Sequence, residues 1–285
     1  MQVPPLNFSG TLNEYRDVFR NKAFRRYFTI SMTYYMAKGF YANSDQYYIK
    51  YVAQRFNLFN TLQTIAGAAE ASGFPFNYIM TMKLGKQFCG RILTPLMAVG
   101  IALNLFIGSK TPFWVTVVAT ILYNFGFSGP GFTATNIQPD VTDVDEMITG
   151  RRREGVIATF NSMIKKTISG LMSATTGFIL KAFGFRTGAE GSNALYQTAR
   201  GIFGLKFTFI ILPLIFVALM YASIFTYRMT GEDHKMIKEA IKEKKETGKC
   251  TLTPEQIKRC EEIAGQKFGD MWIGKPSYDT LEIAD

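Results

Sequence analysis

Lys38, Glu70 and Lys166 are ionisable side chains that stand inside otherwise apolar stretches of this chain. A charge in a lipid bilayer is costly, so an ionisable group there marks a functional position. At a rise of about 1.5 Å per residue, Lys38 falls about 15 Å into its stretch, and Glu70 about 18 Å into the next, entering from the opposite side. Lys166 lies about 15–17 Å from the start of its own helix on the same scale. The three converge on one depth, near mid-membrane, where a lysine ammonium can donate to hydroxyls or to an acidic partner. Mutual salt-bridging of Lys38 with Glu70 is the alternative. Tyr34 and Tyr41, in a segment that also holds Asn43, Asp45 and Gln46, would offer ring faces beside hydrogen-bonding groups. Asn161 and Ser162 precede Lys166 by about one turn and are candidate hydrogen-bonding partners. Ser162, Lys166, Ser169, Ser173 and Gly177 share one helical stripe, which favours Lys166 over Lys165. The same stripe would serve as a close-packed seam of small residues.

A second constellation is Asp140–Gly155, which reads D-V-T-D-V-D-E-M-I-T-G-R-R-R-E-G. It is expected as a corner between two helices. Asp140, Asp143, Asp145, Glu146, Arg151, Arg152, Arg153 and Glu154 form either a solvated loop or a salt-bridge cluster that locks one conformer, a gate on the cytosolic side.

The elements that must position these groups are helices. Six segments are long and apolar enough for a bilayer core of about 20 residues: Phe28–Val52, Leu58–Met82, Ile92–Gly108, Pro112–Ile137, Val156–Phe183 and Phe203–Tyr227. The chain therefore reads as an all-α membrane protein of six transmembrane helices. Its organisation is a cytosolic linker at 1–27, a six-helix bundle at 28–227 and a cytosolic tail at 228–285. Arg16, Arg20, Arg25, Arg26, Lys83, Lys86, Arg91, Arg151–Arg153 and Arg228 fall on one side, against Lys50, Arg55, Lys110, Lys181 and Arg186 on the other. That bias places both termini in the cytosol of a multi-pass protein of the cell membrane, as an even number of spans requires. Gly39, Gly126, Gly129, Pro130 and Gly131 are candidate gating bends.

The net charge of +10 fits basic loops beside apolar spans, and no separate basic domain for nucleic acid is present. Cys89, Cys250 and Cys260 have no metal-ligand spacing and imply no disulfide framework. No metal cluster, nucleophile–base pair or phosphate loop is found, so an enzyme is not expected and no cofactor is implied. His234, in a lysine-rich tail, reads as a solvated surface group. In that tail Thr253-Pro254-Glu255-Gln256 has the pattern of an N-cap with proline at the first helical position and a capping-box glutamine. The tail is expected to be a solvated extension. Met1–Arg26 has no apolar core of a cleavable signal peptide.

The Asp140–Gly155 run resembles the signature of the glycoside–pentoside–hexuronide:cation symporters, the melibiose-permease-like branch of the major facilitator superfamily. Tyr47-Tyr48-Ile49-Lys50-Tyr51-Val52, Phe74-Pro75, Lys83-Leu84-Gly85-Lys86 and Asn161-Ser162-Met163-Ile164-Lys165-Lys166 resemble the family's seventh, eighth and eleventh helices in order. The resemblance covers about Asn13 to Tyr227. It implies a twelve-helix fold of two six-helix halves, of which this chain is the C-terminal half, with sugar or glycoside as substrate and Na⁺ or H⁺ as coupling ion. Members often carry a lysine where Lys166 stands, used in coupling or sugar binding. The melibiose branch has an aromatic near Gly131, where this chain has Gly131-Phe132, so the same sugar is not implied. The cation site is expected mainly in the complementary N-terminal half, so the implied partners are that half, membrane lipid and the sugar. A non-transporting membrane sensor or helper subunit is the alternative, and a split or truncated product with no activity of its own is a third reading. Transport by this chain alone does not follow from the resemblance.

Overall fold

The computed structural model describes residues 16–186 and 197–275, and among these the regular structure is helical throughout. Residues 1–15 of the expected linker, 187–196 between the fifth and sixth segments, and 276–285 of the tail lie outside the described residues. Helix α1 spans Lys22–Tyr51 and α2 spans Phe59–Leu84. Helix α3 runs Phe88–Phe106 and closes with a 3₁₀ turn at Asn104–Phe106. Helices α4 and α5 span Phe113–Thr149 and Glu154–Ala182. Helix α6 runs Ala199–Thr226 with a π turn at Phe207–Ile211. The tail adds α7, Gly231–Thr247, and α8, Pro254–Ala264.

Each of the six apolar segments falls on one of α1–α6. Of the described helices, α3 and α6 are long and apolar enough by composition to cross a membrane. The other four carry the groups that make them interesting: Lys38 and Asp45 in α1, Glu70 in α2, the acids of α4, and Lys165 and Lys166 in α5. Such side chains lower the mean hydropathy of a segment without shortening the helix.

The chain divides into two compact units. One comprises Thr29–Thr135 and Met163–Phe225. Its core sets Phe40 of α1 against Ile168 and Met172 of α5, with Phe40 stacked on Phe216 of α6 at 5.8 Å. Helices α3 and α4 meet through glycines. A Cβ on Gly126 would lie 2.4 Å from the Met97 nitrogen, and one on Gly100 would lie 2.3 Å from the Tyr123 nitrogen. Small residues here let two backbones touch. Gly39 faces Met172 in the same way, at 2.8 Å. The glycines read as gating bends thus have a packing reason. Large apolar side chains on the outside of this unit, such as Met82 and Phe178, are 73% and 74% exposed. A surface of that kind suits lipid or a partner protein.

The other unit comprises the residues up to Phe28, Asn136–Ser162, and those from Thr226 on. Phe19, Phe24, Phe28 and Phe160 form an aromatic cluster within it. Its tail differs from a solvated extension. Ile237, Ala240 and Ile241 fall on one face of α7 and are buried, as are Cys260, Ile263, Met271 and Ile273. Their spacing of three and four gives a helix an apolar stripe that must find cover. Both tail helices are punctuated at each end. Thr230 and Thr253 each make a capping box, with Asp233 and with Gln256, and Gly248 and Gly265 close the helices in the left-handed conformation. The three cysteines are free thiols.

Candidate functional site

One face each of α1, α2 and α4 encloses a cavity of about 310 Å³. Helix α1 contributes Lys38, Tyr41, Ala42 and Asp45, helix α2 contributes Gln63, Ala66 and Glu70, and α4 contributes Thr120, Tyr123, Asn124 and Phe127. In each helix these residues recur at intervals of three, four and seven, so one stripe faces one space. Lys38 Nζ sits 4.5 Å from the centre of the Phe127 ring. An ammonium over an aromatic face is held by the ring quadrupole, and it keeps donors available. Asp45 Oδ2 accepts a 2.6 Å hydrogen bond from Gln63 Nε2, which joins α1 to α2. Tyr41 stacks on Tyr123 at 3.7 Å and on Phe209 at 4.4 Å, which fixes the wall of the cavity. The lining therefore offers ammonium, carboxylate, amide and phenol groups around aromatic faces. This mixture can hydrogen-bond a polyhydroxylated solute while stacking against its apolar side.

The expected solute-binding residues separate into groups. Lys38, Glu70 and Tyr41 line this cavity together, and among the described residues no ion pair joins Lys38 to Glu70. Tyr34 is buried behind it, stacked on Phe127 at 4.7 Å, with its hydroxyl 2.5 Å from where a Cβ on Gly131 would be. Lys166 lies outside the cavity. The whole stripe of Ser162, Lys166, Ser169, Ser173 and Gly177 is exposed, so it is not a packed seam within this chain. Asn161 donates to Gln138 Oε1 at 3.3 Å, which also accepts from the Tyr27 hydroxyl at 3.2 Å. Asp45, Gln63, Tyr123, Asn124 and Phe127 are cavity residues that charge and depth alone did not single out. Their signal is helical spacing: Asp45 and Gln63 stand seven residues from Lys38 and Glu70, and Tyr123, Asn124 and Phe127 stand three, four and seven from Thr120.

The charged run forms a second constellation, in the unit that contains the tail. Its acidic half is not a loop: α4 continues to Thr149 and carries Asp140, Asp143, Asp145 and Glu146, each at most 5% exposed. Val141, Val144 and Met147 are fully buried between them and keep the helix packed past the last apolar segment. Arg153 grips Asp145 with two parallel bonds, Nε to Oδ2 at 2.9 Å and Nη2 to Oδ1 at 2.8 Å. Arg152 reaches Asp143 at 3.5 Å, Glu146 at 3.4 Å and Glu154 at 3.3 Å. Arg151 is exposed.

Two further partners come from α7. His234 Nε2 is 2.7 Å from Asp143 Oδ2 and 3.4 Å from Asp140 Oδ1, and Lys245 Nζ pairs with Glu146 Oε1. His234 is thus a member of the cluster, not a solvated group. Burial acts to raise the Asp143 carboxyl, but the His234 hydrogen bond and the charges of His234, Arg152 and Lys238 outweigh it. The result lies below the ordinary carboxylate value. Within the tail, Arg259 holds Asp233 by bonds of 2.9 and 2.8 Å and also donates to the Arg228 carbonyl at 2.7 Å.

A family model described as MFS/sugar transport protein matches residues 7–231. An uncharacterized symporter of Synechocystis sp. is 26% identical over 145 residues, which cover 48% of this chain and 27% of that protein. The chain therefore matches little more than a quarter of that relative's length.

Proposed function

The chain belongs to the MFS/sugar transport protein family, a family of membrane transporters, and on that premise we propose that it moves a sugar or glycoside in symport with Na⁺ or H⁺. It does so as one six-helix half of a twelve-helix transporter, with α1–α6 spanning the cell membrane and both termini in the cytosol. The partner is a second six-helix half, and the two rock about a solute held between them. The observation that carries this reading is the cavity, where Lys38, Glu70, Tyr41 and the Asp45–Gln63 pair face one space from three helices. Lys166 and its exposed serines face the partner half and the solute path. The Asp140–Glu154 cluster acts as the cytosolic gate, breaking and re-forming as the halves move. The coupling ion is held mainly by the partner half.

The test is uptake of radiolabelled monosaccharides and glycosides under an imposed Na⁺ or H⁺ gradient. Cells would express this chain with and without a six-helix N-terminal half. Accumulation of at least one sugar with both halves present, dissipated by collapsing one gradient, is expected. No accumulation of any sugar under either gradient, with both halves detected in the membrane, would overturn the reading.

A further inference from the structure

A cavity of about 180 Å³ in the unit that contains the tail is lined by Lys22, Arg26, Arg228 and Arg259, with Glu262, Tyr227 and Met229. Four cations thus meet one carboxylate. Arg259 is already committed to Asp233 and to Glu262, which it reaches at 3.2 Å. Among the described residues, no carboxylate comes within ion-pair distance of Lys22, Arg26 or Arg228. Cations spread over a surface are ordinarily solvated apart. Here they are brought to one concavity by α1, by the segment after α6 and by α8. The Lys22 stem is wedged against Gly265, where a Cβ would lie 2.7 Å away, so the end of α8 fixes its place. Burial, and then Arg228 and Arg25, hold the Arg26 guanidinium below its ordinary value. That crowding is what an anion would relieve.

The location narrows the anion. Lys22 and Arg26 directly precede the apolar stretch that opens at Phe28, and Arg228 follows α6, one of the two helices apolar enough to cross a membrane. Three of the four cations that line the cavity thus flank apolar helices along the chain. Guanidinium groups match phosphate oxygens in pairs, with a geometry that lysine lacks.

We propose that this cavity binds a phosphate group, with Arg26 and Arg228 as its principal donors and Lys22 as a third, supplied by the headgroup of an anionic phospholipid. Seated there, the phosphate would tie the start of α1 to the tail. A basic pocket beside membrane helices is a recurrent form of such recognition.

The test uses the full chain in nanodiscs of phosphatidylcholine with or without phosphatidylglycerol, followed by native mass spectrometry of retained lipid. Wild type should keep phosphatidylglycerol, and R26Q/R228Q should hold it about fivefold more weakly for each cation removed. The equal-charge control K235Q/K242Q, on the exposed face of α7, should match wild type. A second arm adds inorganic phosphate in pure phosphatidylcholine discs. A rise in melting temperature seen in wild type but not in R26Q/R228Q would keep the phosphate site and assign a soluble source. Equal retention by wild type and R26Q/R228Q, without a phosphate shift, overturns the proposal. So does equal loss in R26Q/R228Q and K235Q/K242Q, because general charge would then explain it. The charge-keeping R26K/R228K guards against misfolding. With the charge kept but the paired geometry lost, it should hold phosphatidylglycerol more tightly than R26Q/R228Q and more weakly than wild type, and retention no better than that of R26Q/R228Q overturns the assignment of these two side chains as donors.

Discussion

His234 Nε2 stands 2.7 Å from Asp143 Oδ2, joining two helices whose residues are 91 apart in sequence. The contact makes the tail a structural member of the charged cluster on α4. Lys245 repeats the relationship on Glu146 two to three turns further along α7.

The first prediction concerns pH. The folded Asp143 carboxyl lies below its ordinary value of about 3.9. A depressed acid contributes stability that is complete above the unfolded value and is lost as pH falls through the folded one. Trp272 packs against Gly150 at the end of α4 and reports on the tail. Its emission should therefore stay native down to about pH 4 and change below it. In H234Q the Asp143 carboxyl loses the hydrogen bond and charge that depress it most, so its contribution to the loss of stability below pH 4 should shrink and the acid transition should become less steep. Coincident curves for wild type and H234Q would remove this link from the account.

Arg153 and Asp145 give a sharper stability test, because their side chains are only 12% and 1% exposed. Arg153→Ala leaves a buried carboxylate uncompensated and should cost about 3 to 5 kcal/mol. Arg153→Lys should also lose stability, since a point charge cannot replace the two-bond fork. Adding Asp145→Asn to Arg153→Ala should restore much of the loss. A thermal melting series of wild type, R153A, D145N and R153A/D145N, read as a double-mutant cycle, decides it. Additive losses would mean that the pair is not coupled.

For transport, Lys38→Ala and Glu70→Gln should each lower uptake by the assembled transporter at least about tenfold, roughly 1.4 kcal/mol at the solute. Membrane insertion should be unchanged. If the exposed stripe of α5 meets the partner half as proposed, Lys166→Ala should abolish coupled uptake although Lys166 lies outside the cavity. Unchanged uptake kinetics in K166A would exclude Lys166 from the solute path.

The glycine seam predicts a contrast between positions. Gly126→Ala sets a methyl 2.4 Å from a backbone nitrogen of α3, whereas Gly170 and Gly177 have nothing within 4 Å of an added Cβ. Overpacking costs about 1 to 3 kcal/mol, and more where backbone must give way. G126A should therefore lower the melting temperature, while G170A and G177A should leave it unchanged or raised, since alanine is the better helix former. Equal melting of all three would show that α3 and α4 are not in backbone contact.

Much of the helical order was legible in sequence, because a long run of apolar residues between turn residues favours a helix over a strand. The end of α4 was not. Hydropathy stops at Ile137, but Val141, Val144 and Met147 carry the same buried face onward at helical spacing, between acids that read as a corner, either a solvated loop or a salt-bridge cluster. Dense charge signals exposure only when its partners are elsewhere, and here Arg152 and Arg153 fold back onto it. The Thr253 cap was readable because its whole signal lies in four residues. His234 was unreadable for the opposite reason. No local spacing encodes a partner 91 residues away. In the cavity, charge and depth pointed to Lys38 and Glu70, which line it, while Asp45 and Gln63 needed the helical face to be followed two turns further, and Asn124 lies on a helix that carries no charge at that depth.

The sequence separation of these partners also sets an order in time. A chain grows at about 5 to 20 residues per second, so His234 emerges roughly 5 to 18 seconds after Asp143, given the 91 residues between them. Lys245 trails Glu146 by 99 residues. Arg152 and Arg153 follow the acids of α4 within a few residues, so their pairs with Asp145, Asp143 and Glu146 can form before the tail has emerged. The contacts of His234 and Lys245 are then added to pairs that persist in the folded state.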